Sequence, residues 1–194
     1  MFIEQKFQIP HLEGISAKTI EEHLKLYAGY VKNTNLIIEH GLELAKDPGK
    51  NVYELGELQR RFGFEWGGMR NHEIYFSLLE GGPNTNAPTL IKKIEEQWNS
   101  FDIFLTRMKM LAMTRGVGWA MLYYDKKTNT LIPAWVDEQH VGQLADCQIV
   151  FALDMWEHSY VADYLPSGKK QYIDDFFHNI NWSVAERYFV EASK

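Results

Sequence analysis

The segment Gly81-Gly82-Pro83-Asn84-Thr85-Asn86-Ala87-Pro88 does most to constrain the fold, because two kinds of chain meet at it. It combines glycine, proline and asparagine with no apolar period, the composition of a break between packed elements. Ahead of it the apolar residues fall at helical spacing. Ser16 offers an N-cap, and Ile20, Leu24, Tyr27 and Val31 open a stripe that runs to about Lys46, before Asp47-Pro48-Gly49. A short helix around Val52 to Arg61 then leads to a further stretch, helical from about Trp66 and stopped by Gly81-Gly82-Pro83. Two long helical stretches with a connector predict an α-hairpin.

Beyond the break the pattern changes. Leu90 to Trp98 and Phe101 to Met113 predict helices, the second capped by Asn99 or Ser100. GVGWAMLYYD and LIPAWV flank the turn DKKTNT and predict a β-hairpin, and a third strand follows over Gln148 to Leu153. YIDDFFHNI and NWSVAERYFVEA close the chain as helices. The fold class expected is α+β: an N-terminal α-hairpin domain over residues 1–84, then an α/β domain over 85–194 with a small three-stranded antiparallel sheet.

Composition narrows the partners. The net charge of −6 and the absence of any block of five like charges argue against a nucleic-acid surface. The single cysteine, Cys147, allows no internal disulfide and makes a thiolate metal site unusual, which suits a reducing cytoplasm. The N-terminal stretch is broken by charge and Pro10 before an apolar core of signal length accumulates, and no later run approaches a membrane span. Six Trp, ten Tyr and eleven Phe exceed what a plain helical bundle needs, so aromatic walls around a site or a large interface are expected.

Three places concentrate side chains suited to chemistry. In FALDMWEHSY, Asp154 and His158 stand at i and i+4 where a strand gives way to a turn, so that both can point at one spot. Carboxylate and imidazole at that spacing suit a pair of metal ligands or a hydrogen-bonded core feature, and the spacing alone does not choose between them. In WGGMRNHEIYF, His72 shares a helix face with Gly68, Tyr75 and Phe76, the glycines allowing close backbone approach. In IEEHLKLYAGYVKN, His23 is followed by Tyr27 and Tyr30. Both of these histidines equally fit an aromatic stripe packed inward.

Taken together and in order, these segments resemble the iron/manganese superoxide dismutases. FALDMWEHSY resembles that family's D-x-W-E-H-x-Y signature, and WGGMRNHEIYF its G-G-x-x-N-H helix. RGVGWAMLYYD resembles its G-S-G-W-A-W-L strand, and YIDDFFHNINW its closing helix. IPHLEGIS and HLKLYAGYVKNTN are similar to its entry segment and first helix. The resemblance implies one Fe or Mn ion per subunit, bound by His23, His72, Asp154 and His158. The implied activity is dismutation of superoxide to dioxygen and hydrogen peroxide, with electrons passing through two oxidation states of the ion. It further implies a gateway role for Tyr30, aromatic walls from Trp119 and Trp156, and a match of Trp182 to the Trp of the closing N-W pair. A homodimer or a tetramer is implied as well, in which Glu157 reaches His158 of a second subunit.

Three departures from the family pattern matter. The commonest form places the first-helix His one residue further from the gateway Tyr, where Glu22 stands here. One residue turns a side chain by about 100°. His23 is therefore expected to need a helix irregularity to point inward, with Glu22 as the alternative ligand. The glutamine that hydrogen-bonds the bound solvent in the family has no counterpart at Gly68, and His140, with Gln139 as alternative, is expected to take its place. The family's dimer-spanning His–Tyr pair falls near Leu26 or Tyr27 and at Val161, so a differently built interface is expected, in which Tyr27 still hydrogen-bonds. Two other readings compete: a non-catalytic or repurposed metal-binding member of the same fold, and a zinc hydrolase using the same side chains.

Overall fold

The computed structural model describes residues 1–194. An extended arm leads to α1, Ala17–Leu44, whose first turn is capped by Ser16 Oγ accepting from Thr19 N at 3.1 Å. α2 runs over Val52–Ser77 and packs along α1 as the expected hairpin. The two helical pieces foreseen between Val52 and Ser77 are one continuous helix. Glycine disfavours a helix interior by about 1 kcal/mol, but three of the α2 glycines sit where another residue closes against the backbone, and that packing offsets the intrinsic cost. An ideal Cβ at Gly63 would lie 3.1 Å from His140 Cδ2, one at Gly67 2.1 Å from Gln139 O, and one at Gly68 2.3 Å from Tyr30 Cδ1.

α3, Pro88–Trp98, begins with proline at its first position and ends on Asn99 in the left-handed region, φ 66°. Ser100 then caps α4, Phe101–Ala112, accepting from Ile103 N at 3.2 Å. The sheet consists of β1, Gly118–Asp125, β2, Thr130–Asp137, and β3, Gln148–Asp154, in the order β2-β1-β3 with both pairings antiparallel. The register sets Trp119 of β1 opposite Asp154 of β3. Two further helices, α5 over Lys169–Asn179 and α6 over Trp182–Ser193, complete the chain.

One buried apolar core runs from Tyr27 and Val31 on α1 through Phe76 on α2 and the strands to Phe176 on α5 and Phe189 on α6. Val150 to Leu153 of β3 are all buried, so this strand reads as an apolar run without alternation and delivers Asp154 into the interior at its end. No helix is long and apolar enough to cross a membrane.

Candidate metal centre

Four side chains from three segments of the sequence meet where α1, α2 and the end of β3 converge. His23 Nε2 lies 3.1 Å from Asp154 Oδ2, His158 Nε2 3.2 Å and His72 Nε2 3.4 Å from the same oxygen. The potential ligand atoms all lie within 4.8 Å of one another. His23, His72 and Asp154 are fully buried, and the His158 side chain is 22% exposed.

Local folding explains each position. His23, Tyr27 and Tyr30 stand at i, i+4 and i+7 of a regular α-helix and so share one face. The irregularity expected in α1 is absent and was not needed, since two turns bring Tyr30 back almost above His23. Glu22, about 100° round the helix, faces solvent and pairs with Lys25 Nζ at 2.7 Å. His72 Nδ1 donates to Gly68 O at 2.6 Å, which leaves Nε2 as the lone-pair nitrogen facing Asp154. After β3 a single 3₁₀ turn, Glu157–Ser159, folds His158 back toward Asp154. Asp154 itself is tied down: Oδ1 accepts from Trp156 N at 2.8 Å, and its carbonyl accepts from Tyr172 Oη at 2.9 Å and Ser159 Oγ at 3.1 Å.

The donor set fits a metal cation. Metal–nitrogen and metal–oxygen distances near 2.1 Å require ligand atoms roughly 3–3.5 Å apart, which is the spacing found around Asp154 Oδ2. His72 Nε2 is buried and has no hydrogen-bond partner in the chain. Burial lowers the His23 imidazole below its usual range and the His72 imidazole to about 3, so both are neutral and offer lone pairs. Burial alone would raise the Asp154 carboxyl, but the imidazoles of His158 and His23 outweigh it and hold the group well below the usual carboxylate range. Two or three imidazoles with one carboxylate suit a redox-active first-row ion better than a hard oxygen-seeking one.

Aromatic rings close the cluster. The His23 ring lies 5.0 Å from Tyr75 and 4.9 Å from Phe76, and the His72 ring 5.1 Å from Tyr30 and 5.0 Å from Trp119. Trp156 stacks on His158 at 5.7 Å. Trp182 is elsewhere, packed in the core against Phe101 and Phe151.

The side chain that joins Tyr30 to this shell is Gln139. Its Nε2 donates to Tyr30 Oη at 2.8 Å and its Oε1 accepts from Trp119 Nε1 at 2.8 Å, and the residue is fully buried. His140, the expected partner, instead turns its ring onto Gly63 and toward Phe64, 5.9 Å away. Both residues sit in a tight loop in which Glu138 adopts φ 51° and residues 137 and 141 bond to each other, and from it Gln139 enters the interior while His140 packs on α2. Asn71 Nδ2 secures the loop by donating to Gln139 O at 2.9 Å. Tyr27 also departs from expectation. It is buried, with Oη accepting from Gln5 N at 2.9 Å and donating to Glu73 Oε1 at 3.2 Å, so it serves the interior and the N-terminal arm. Tyr172 and Asn71 had no sequence signal of their own beyond lying in segments already singled out, because their partners are backbone carbonyls remote in sequence.

Fold and site together define a mononuclear metal protein with three imidazole donors and one carboxylate on an α-hairpin joined to a three-stranded sheet. The family description "iron/manganese superoxide dismutases, C-terminal domain" matches residues 86–188. The chain is 35% identical over 190 residues to the Fe superoxide dismutase of Aquifex pyrophilus, covering 95% of this chain and 88% of that protein. It is 35% identical to the Fe superoxide dismutase of Cupriavidus metallidurans over 93% of this chain and 91% of that one. Against the mitochondrial Mn superoxide dismutase of Glossina morsitans morsitans the identity is 32%, over 91% and 83%. The chain belongs to the iron/manganese superoxide dismutase family.

Proposed function

We propose that this protein converts superoxide to dioxygen and hydrogen peroxide at one iron or manganese ion per chain, held by His23, His72, Asp154 and His158. The observation that carries the reading is the convergence of three imidazole Nε2 atoms on Asp154 Oδ2 in a chain of this family. Bound there, iron or manganese would supply a one-electron couple able to take an electron from one superoxide and give it to another. Two superoxide ions and two protons thus give one dioxygen and one hydrogen peroxide.

The chain's own residues set the conditions for that exchange. One carboxylate among neutral imidazoles would leave a bound di- or trivalent ion with net positive charge, which favours approach of a small anion. Tyr30 holds a proton there: burial pushes its phenol well above the usual range, and Gln139 Nε2 fixes the position of its oxygen. We assign to Gln139 the tuning role first expected of His140, because its carboxamide bridges Tyr30 and Trp119. Trp119, Trp156, Tyr75 and Phe76 limit water around the ligands.

We further infer a homodimer, with a tetramer as a possible higher assembly, in which Glu157 accepts from Nδ1 of His158 in a second copy. Glu157 is exposed, and His158 hydrogen-bonds within its own chain through Nε2 alone. The division into domains 1–84 and 85–194 is part of the same reading, supported by a C-terminal-domain match that begins at residue 86. A cytoplasmic setting accords with one unpaired thiol, Cys147.

The test is purification after growth in iron-only and in manganese-only medium, with metal content and superoxide dismutation measured on each. One ion per chain with activity in at least one preparation is expected. Inactivity of both preparations would overturn the proposal.

A further inference from the structure

Arg61 on α2 carries a charge that the metal cluster does not use. Its Nε donates to Glu65 Oε1 at 3.0 Å, one turn along the helix, and Glu65 is only 5% exposed and also accepts from Asn33 Nδ2 at 3.4 Å. The guanidinium carbon lies 3.7 Å from the centre of the Phe64 ring. That ring stands 5.9 Å from Tyr30 and 6.4 Å from Trp156. Arg61 is therefore clamped at one edge by a buried carboxylate and backed by an aromatic ring that touches the gateway Tyr.

What the clamp leaves open is the other edge. The ion pair engages Nε, while the side chain is 46% exposed and its two Nη groups have no partner within the chain. A planar guanidinium fixed in this way presents a pre-oriented pair of donors to a small anion. The chain as a whole carries −6, a field that repels an anionic substrate unless a local cation counters it at the entrance.

We propose that Arg61 is an anion-binding station at the approach to Tyr30, one that collects superoxide at the mouth of the site against the overall charge of the chain. The role rests on the dismutase reading, and its ligand class is the small inorganic anion. Glu65 and Phe64 act through Arg61 as positioning residues.

Two variants of the metal-loaded protein test it, Arg61→Met, which keeps an apolar stem over Phe64, and Arg61→Lys, which keeps the charge. The measurement is kcat/KM for superoxide as a function of ionic strength. Arg61→Met is expected to lose about threefold or more at low ionic strength and to show a flatter salt dependence than wild type, since steering by charge is screened by salt. Arg61→Lys recovers most of the loss, and the midpoint potential of the metal stays the same in all three proteins. Separately, azide is titrated into the metal-free wild-type protein and the Nε–H resonance of Arg61 is followed by NMR, where a saturating shift is expected. Equal kcat/KM and equal salt dependence in Arg61→Met, a changed midpoint potential, or an unmoved Arg61 resonance would each overturn the station. A wild type inactive with both metals sinks the dismutase reading instead, and the azide titration still decides whether Arg61 binds anions.

Discussion

Gln139 illustrates how a tight loop presents one of two neighbouring side chains to a site. The Gln139-His140 pair offers an amide and an imidazole side by side, and periodicity cannot tell them apart because both lie in a loop. The loop, with its positive φ at Glu138 and its tie to Asn71, holds Gln139 inward between Tyr30 and Trp119. Gln139→Met is therefore expected to shift the midpoint potential of the bound metal and to lower activity. It also leaves the buried Trp119 Nε1 without its acceptor, a loss of about 1–3 kcal/mol in unfolding free energy. His140→Gln, measured the same way, should leave the midpoint where it is, and a shift from that variant instead would reverse the assignment. Asp154→Ala removes the group on which all three imidazoles converge. Metal analysis of that variant should find little Fe or Mn, with helical circular dichroism largely kept, and full occupancy would refute the ligand set. Asp154 and His158 were readable in sequence because a strand end and a single turn place them together. Tyr172, which reaches the Asp154 carbonyl from α5, was not, since nothing in YIDDFF says which residue its hydroxyl meets.

The α-hairpin shows the same division between local pattern and long-range contact. The capping serine, the apolar stripe and the stop at Gly81-Gly82-Pro83 were enough to locate α1 and α2. The continuity of α2 was hidden, because its glycines look like breaks until the groups packed on them are known. The glycines differ in a testable way. Gly41 and Gly56 have nothing within 4 Å of a built Cβ, so replacing either by alanine should stabilise by about 0.5–1 kcal/mol through helix propensity alone. At Gly67 the added carbon would meet a backbone carbonyl at 2.1 Å, and at Gly68 a tyrosine ring at 2.3 Å. Gly67→Ala is expected to cost about 1–3 kcal/mol, more than Gly68→Ala, because the Gln139 loop is held by Asn71 while the ring can tilt. Urea denaturation of the four variants gives the ranking, and a stabilising Gly67→Ala would show that the Gln139 loop is free to move.

Assembly is where the single chain points beyond itself. The order of motifs along the sequence carried the fold class and the antiparallel sheet. It did not carry the interface, since the residues at the family's usual bridging positions are Leu26, 43% exposed, and Val161, with Tyr27 turned into the interior. His158 is the one member of the cluster with solvent access, and its Nδ1 has no acceptor in its own chain. A metal-binding imidazole is oriented by a carboxylate or carbonyl on its second nitrogen, as His72 is by Gly68 O. Glu157 is exposed beside it on the same 3₁₀ turn, and in the dimer we propose it fills that role for a two-fold related copy. In that proposed dimer Glu157→Ala removes a buried charged hydrogen bond, at a cost of about 2–5 kcal/mol, enough to move a micromolar sample toward monomer. Activity should fall with it, because the proposed contact would orient a metal ligand in the neighbour. Glu157→Gln keeps the acceptor without the charge and should hold the dimer better than alanine does. Sedimentation of the three proteins at equal metal content separates the outcomes, and an intact, fully active Glu157→Ala dimer would place the two-fold contact elsewhere on the surface.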